Sequence, residues 1–134
     1  ETGSDKAVAK VLPQLEGKLT GNAVRVPTPN VSLAILNLTL TTQVAKEQLA
    51  EALKNNSFSG DLAEQIEYSV STELVSSDVI GNSHAAVVDG PATILSHDGK
   101  SVVLYVWYDN EYGYARQVVR LTKSIAKVLR LVYY

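Results

Sequence analysis

The apolar pattern changes period several times along the chain, and its longest unbroken stretch is Val102 to Tyr108. That run is too short to span a membrane. It is rich in β-branched and aromatic residues, so it reads as a strand buried on both faces. It stops abruptly at Asp109-Asn110-Glu111, where a helix should begin. Two readings of this polar turn stay open. Asp109 is a helix N-cap, or the turn lies in a ligand crevice at the end of a buried strand.

Upstream, Ala7, Val8, Val11, Leu12 and Leu15 make a helical stripe within residues 2–15. Thr2 serves as its cap, and Pro13 ends or bends it. Leu19–Val26 reads as a strand, halted by Pro27 and Pro29. Val31–Leu40 reads as a second strand whose apolar positions change phase near Ile35-Leu36. Either a bulge lies there or both faces are covered. Thr42 caps a helix over Gln43–Lys54 with Ala45, Leu49, Ala52 and Leu53 inward. Asn55-Asn56-Ser57 closes it, and a single helical turn follows at Leu62–Ile66. Tyr68 to Leu74 alternates as a half-exposed strand. Ala85–Val88 and Ala92–Leu95 form a strand pair around Asp89-Gly90-Pro91. His97-Asp98-Gly99-Lys100 is a hairpin turn. The last helix covers 111–129, with Ala115, Val118, Val119, Thr122, Ile125, Ala126 and Leu129 as its inner face. These elements predict an α+β fold in one domain, 1–134: a mixed, mostly antiparallel sheet with about three helices on one face. The apolar end Val128–Tyr134 docks on the sheet, meets a partner or is unstructured.

Composition narrows the chemistry. The 134 residues are 46% hydrophobic and 19% charged, which suits a packed domain. A net charge of −2 argues against nucleic acid, and no apolar run reaches membrane length. Cysteine is absent, which excludes disulfides and a thiolate nucleophile within the chain. His84 and His97 are the only histidines. No spacing makes a metal site or a hydrolase triad of them, and both are read as surface or structural. No G-x-G-x-x-G is present, so the chain carries no dinucleotide fingerprint.

One set of motifs goes further. WYDNEYGY (Trp107–Tyr114) resembles the C-terminal signature of phosphorylating glyceraldehyde-3-phosphate dehydrogenases. Thr2-Gly3 with Lys6-Ala7-Val8, then KVLPQLEGKLTG (Lys10–Gly21), RVPTPNVS (Arg25–Ser32) and VSSDVIG (Val75–Gly81) follow the same family's order and spacing. The resemblance covers nearly the whole chain but only the last two-fifths or so of the enzyme. It implies the family's catalytic-domain fold, without the nucleotide-binding domain or the segment bearing the cysteine nucleophile and histidine base.

The resemblance also implies roles. In the family, a thiolate attacks the aldehyde, hydride passes to the nicotinamide of NAD or NADP, and inorganic phosphate releases the resulting thioester as 1,3-bisphosphoglycerate. Thr2, Gly3 and Arg25 match phosphate-binding positions. Asn110 matches the residue that holds the nicotinamide carboxamide, and Tyr114 a tyrosine beside it. Ser4-Asp5 stands where the family has small residues, and a carboxylate there competes with a bound anion. The expected partners are the missing N-terminal part, like subunits in a tetramer, and a phosphorylated small-molecule substrate. The sheet face near Tyr68, Val70 and the prolyl segment is the expected interface. The expected compartment is cytoplasmic, with an organelle left open. The alternative is a non-catalytic structural or interaction subunit derived from the same family.

Overall fold

The computed structural model describes residues 4–128. Its centre is β5 (Ser101–Tyr108), flanked by β1 (Ser32–Thr39) on one side and β3 (Ala86–Asp89) on the other. β2 (Ile66–Ser69) extends the sheet beyond β3, and the short β4 (Ile94–Leu95) also pairs with β5. All pairings are antiparallel except β2 with β3, which run parallel. The helices are α1 (Ser4–Val11), α2 (Lys46–Phe58), the single turn α3 (Ser76–Val79) and α4 (Tyr112–Ile125). The architecture is therefore α+β with a mixed, mostly antiparallel sheet.

The β1–β5 ladder runs unbroken from Ser32↔Tyr108 to Thr39↔Ser101. No bulge interrupts it. The phase change along β1 instead reflects apolar residues on both faces. One face carries Val102, Leu104 and Val106 of β5 with Val88 of β3, which form the buried core. Leu49 and Leu53 of α2 pack there, as their helical spacing predicts, and so does Tyr68. Tyr68 thus belongs to the covered face, not to the exposed one expected of it. The opposite face presents Leu33, Ile35 and Tyr105, and Ile35 is 53% exposed.

Several boundaries move for identifiable reasons. Residues 19–26 form no strand. A strand's N–H and C=O groups need a ladder, and no strand lies beside this segment among the described residues. Val24 is 85% exposed. β2 ends at Ser69 because its parallel partner β3 ends opposite it at Asp89. α2 starts at Lys46, later than the Thr42 cap predicted, with Gln48 Oε1 accepting the Ala45 N–H at 2.9 Å. It then runs past Asn55-Asn56-Ser57, since Asn56 and Ser57 donate back to the carbonyls of Ala52 and Lys54. Residues 61–65 form a turn closed by the Ile66 N–H donating to the Leu62 carbonyl at 2.9 Å, and Ile66 itself already opens β2. α3 was not expected at all. β3 and β4 do not pair with each other; both pair with β5.

Two predicted stops hold. α1 ends just before Pro13, which opens a 3-10 turn to Leu15. The β4–β5 connection is a tight turn in which Gly99 has φ +66°. Its position leaves no room for a Cβ against the Val44 carbonyl. The predicted inner face of α4 is open: Val118 and Val119 are near half exposed and Ile125 is 74% exposed. Leu129 and all of the apolar end except Val128 lie outside the described residues.

Candidate functional site

The end of β5 is built around Asp109. Its carboxylate is only 3% exposed, and a buried charge needs partners. It has four. Oδ2 accepts the Gly81 N–H at 2.9 Å. Oδ1 accepts Asn30 Nδ2 at 2.9 Å and the N–H groups of Glu111 and Tyr112 at 2.9 and 2.8 Å. The Gly81 donor does most to lower the acid's pKa, helped by Tyr112, Asn30 and Glu111. Together they hold it at about 2 against the opposing effect of burial. Asp109 is not the N-cap of α4, which is Glu111, but its carboxylate accepts two N–H groups at the helix start from two residues upstream. The same carboxylate also ties together the loop after α3 and the prolyl segment.

This anchor sets the position of Asn110. Its side chain is exposed, and its Oδ1 accepts Ser32 Oγ at 2.9 Å. Ser32 pairs with Tyr108 at the start of β1. The Asn110 NH2 group makes no hydrogen bond among the described residues. Between Asn30 and Ser32 lies Val31 with φ +75°. That is a costly conformation for a β-branched residue. It is held on both sides, by Asn30 on Asp109 and by Ser32 on Asn110. Tyr114, one turn along α4 from Asn110, is 71% exposed.

Arg25 lies in the same irregular segment as Asn30. It is exposed and makes no hydrogen bond or ion pair among the described residues. Thr2 and Gly3 lie outside the described residues. Of the five predicted site residues, Asn110 and Tyr114 share one helix start, and Arg25 hydrogen-bonds to neither. Asn30, Ser32 and Gly81 were missed as site-building residues. All three fall inside quoted motif blocks, but their partners are far away in sequence.

A second polar cluster lies on the loop before β3. Asn82 Nδ2 donates to Glu67 Oε2 at 2.7 Å, and Asn82 Oδ1 accepts the His84 N–H at 2.9 Å. His84 Nδ1 faces Asn82 Oδ1 at 3.0 Å and Glu67 Oε2 at 3.1 Å. Both are acceptors, so Nδ1 carries the proton. His84 is structural in this respect, as expected.

A central strand that ends in a hydrogen-bonded helix start, with an amide and a tyrosine presented there, is the candidate site of this α+β domain. The chain carries no nucleotide-binding fingerprint of its own. The family model for the glyceraldehyde 3-phosphate dehydrogenase C-terminal domain matches residues 1–110. The chain belongs to that family. It is 53% identical over 128 residues to a glyceraldehyde-3-phosphate dehydrogenase-like protein of Pseudomonas aeruginosa, covering 96% of this chain and 27% of that one. To glyceraldehyde-3-phosphate dehydrogenase 1 of Bacillus subtilis it is 46% identical, covering 94% of this chain and 37% of that one. To the testis-specific enzyme of Mus musculus it is 45% identical, covering 91% and 27%. The chain thus spans about a third of the length of the curated relatives it matches.

Proposed function

We propose that this chain is the C-terminal part of an NAD(P)-dependent, phosphorylating glyceraldehyde-3-phosphate dehydrogenase and is inactive by itself. The observation that carries the reading is the Asp109 anchor. It holds Asn110 at the end of β5 with Oδ1 engaged by Ser32 and the NH2 group open. An open amide donor on a pinned backbone suits the carbonyl of a nicotinamide carboxamide. Tyr114, exposed one turn on, offers a ring beside the same place. The nicotinamide, when bound, supplies the hydride acceptor. This chain's share is to orient it: Asn110 donates, Ser32 holds the Asn110 side chain in place by its hydrogen bond, and Asp109 stops the turn from moving. Arg25 supplies a guanidinium for the substrate's phosphate through two parallel hydrogen bonds. Thr2 and Gly3 add the second phosphate contact. The thiolate and the base come from the upstream part, since the sequence here has no cysteine.

The test is turnover. With glyceraldehyde 3-phosphate, phosphate and NAD, the 134-residue chain gives no change in NADH absorbance and no NAD binding by calorimetry. One or two amide hydrogen bonds, at roughly 0.5–1.5 kcal/mol each, fall short of the ~4.1 kcal/mol that millimolar affinity needs. Adding the upstream part restores both. Turnover by the chain alone, or no recovery in an associated two-part complex, overturns the reading.

The uncovered sheet face around Leu33, Ile35 and Tyr105 suits a second copy of the chain, as an assembly of like subunits requires. Ile35→Glu on that face should drop the sedimenting mass of the complete protein.

A further inference from the structure

From Tyr112 onward the sequence contains no Asp or Glu, although the chain as a whole is net −2. Three of the cations that follow, Arg116, Arg120 and Lys123, lie within α4 at helical spacings of four and three. They therefore share one face of the helix. That face lines a cavity of about 390 Å³ between α4 and the loops carrying Ala63-Glu64 and Ser83-His84. Three permanent cations and one carboxylate, Glu64, meet there. None of the three cations is in an ion pair among the described residues.

The wall is ordered in a way that bare surface lysines are not. Gln117 Nε2 donates to the Ser83 carbonyl at 3.2 Å, which fastens α4 to the loop. Gln117 Oε1 accepts Arg120 Nε at 2.9 Å. The guanidinium is thereby held by its inner nitrogen while its two terminal NH2 groups stay free, the half of the fork that grips an oxyanion. Opposite, the Asn82–Glu67 pair fixes the His84 ring through Nδ1. Gly113 brings the helix close, since a Cβ there would sit 2.9 Å from the His84 carbonyl oxygen.

The geometry points to this groove as a binding site for a small molecule carrying two phosphate groups, separate from the site around Asn110 and Arg25. Cavity size and charge count select that class. Arg116 and Lys123 are about 10 Å apart along the helix axis at ~1.5 Å per residue. Along that row one phosphate on Arg116 and a second on Arg120 and Lys123 engage all three cations at once, which a single phosphate at either end does less well. Among the described residues no Phe, Tyr or Trp lines the cavity, and His84 is its one ring.

Titration of the 134-residue chain with pyrophosphate, followed by amide chemical shifts, tests this. The expected result is saturable one-to-one binding in low salt. Shifts centre on Arg116–Ser124 and Ser83-His84, and affinity falls as salt rises. Arg120→Gln and Arg116→Gln each weaken binding about tenfold or more, Arg120→Lys weakens it less, and inorganic phosphate binds more weakly than pyrophosphate. A sugar bisphosphate run in parallel distinguishes a metabolite from pyrophosphate as the better fit. Absence of saturation, or pyrophosphate affinity unchanged in the Arg116→Gln/Arg120→Gln double variant, overturns the proposal. Shifts centred on Arg25 and Asn110 also overturn it, while leaving the proposed dehydrogenase role standing.

Discussion

Replacing Asp109 by Asn keeps the shape of the side chain and removes its charge. In the native structure four donors converge on the carboxylate, three of them backbone N–H groups. An amide can keep its oxygen toward Asn30, Glu111 and Tyr112. Its NH2 group then faces the Gly81 N–H, donor against donor, at the strongest contact the acid makes. Three terms add up. Losing the Gly81 bond and leaving its N–H unpaired costs about 1–3 kcal/mol. Loss of a negative charge at the start of α4 costs about 0.3–1 kcal/mol. The bonds that remain are no longer charge-assisted and weaken. The expected destabilisation is about 2–4 kcal/mol, a large share of a domain's usual 5–15 kcal/mol. Asp109→Ala should cost more, because it frees every donor. The pH profile supplies an independent check. The folded-state acid is lowered to about 2, below its ordinary value near 3.9. Its contribution is therefore fully present above about pH 5 and is lost as pH falls through 4 to 2. At 1.36 kcal/mol per unit that contribution is about 2.6 kcal/mol at most, and solvent at the rim of the sheet trims it. Urea unfolding of both chains between pH 7 and pH 2 reads the two effects together. The native chain should lose this increment on acidification, and Asp109→Asn should not. A variant within about 0.5 kcal/mol of native at pH 7, or one that keeps the full acid loss, would refute the anchor.

In the complete enzyme, Arg25→Lys should raise KM for glyceraldehyde 3-phosphate about tenfold or more, since a point charge replaces a two-bond fork worth on the order of 1.5–3 kcal/mol. An unchanged KM removes Arg25 from the phosphate site. Asn110→Ala should raise KM for the nicotinamide cofactor, and Ser32→Ala should do the same more weakly, because Ser32 only fixes the amide's orientation. Equal effects of the two, or none, would contradict that order. Gly113→Ala places a Cβ 2.9 Å from the His84 carbonyl oxygen. The alanine gains about 1 kcal/mol of helix propensity but meets overpacking of about 1–3 kcal/mol, so a net loss in melting temperature is expected.

What the sequence discloses follows from the range of the forces involved. The buried run Val102–Tyr108, the Pro13 stop and the Leu49/Leu53 stripe depend on neighbours a few residues away, and each is found where the pattern puts it. The partners of Asp109 are another matter. Asn30 is 79 positions away and Gly81 is 28. No local rule says that an acid after a strand will gather them. α3 is a single turn, too short to show a period, although the Asp78 side chain accepting the Val75 N–H is a cap that spacing could have flagged. Val31 escapes for the opposite reason: β-branched residues disfavour positive φ, and only the two flanking side-chain bonds hold it there.

The remaining mismatches share one cause. Leu19–Val26 has a strand's composition and no ladder among the described residues, α4 has a clear apolar face and little cover, and β1 leaves Ile35 on its second face more than half exposed. Periodicity reports that a segment wants a partner; it does not report whether that partner is in the same chain. At about 25 cal/mol per Å² of apolar surface, leaving three such faces open is a substantial cost. That cost makes sense if they are covered in a larger protein, and the curated relatives extend about three times the length matched here. The same reasoning separates the α4 groove from those faces. Apolar surface asks to be covered by more protein. A row of cations with no ion pair among the described residues, around an open cavity, is accessible to solvent and gains most from a compact anion.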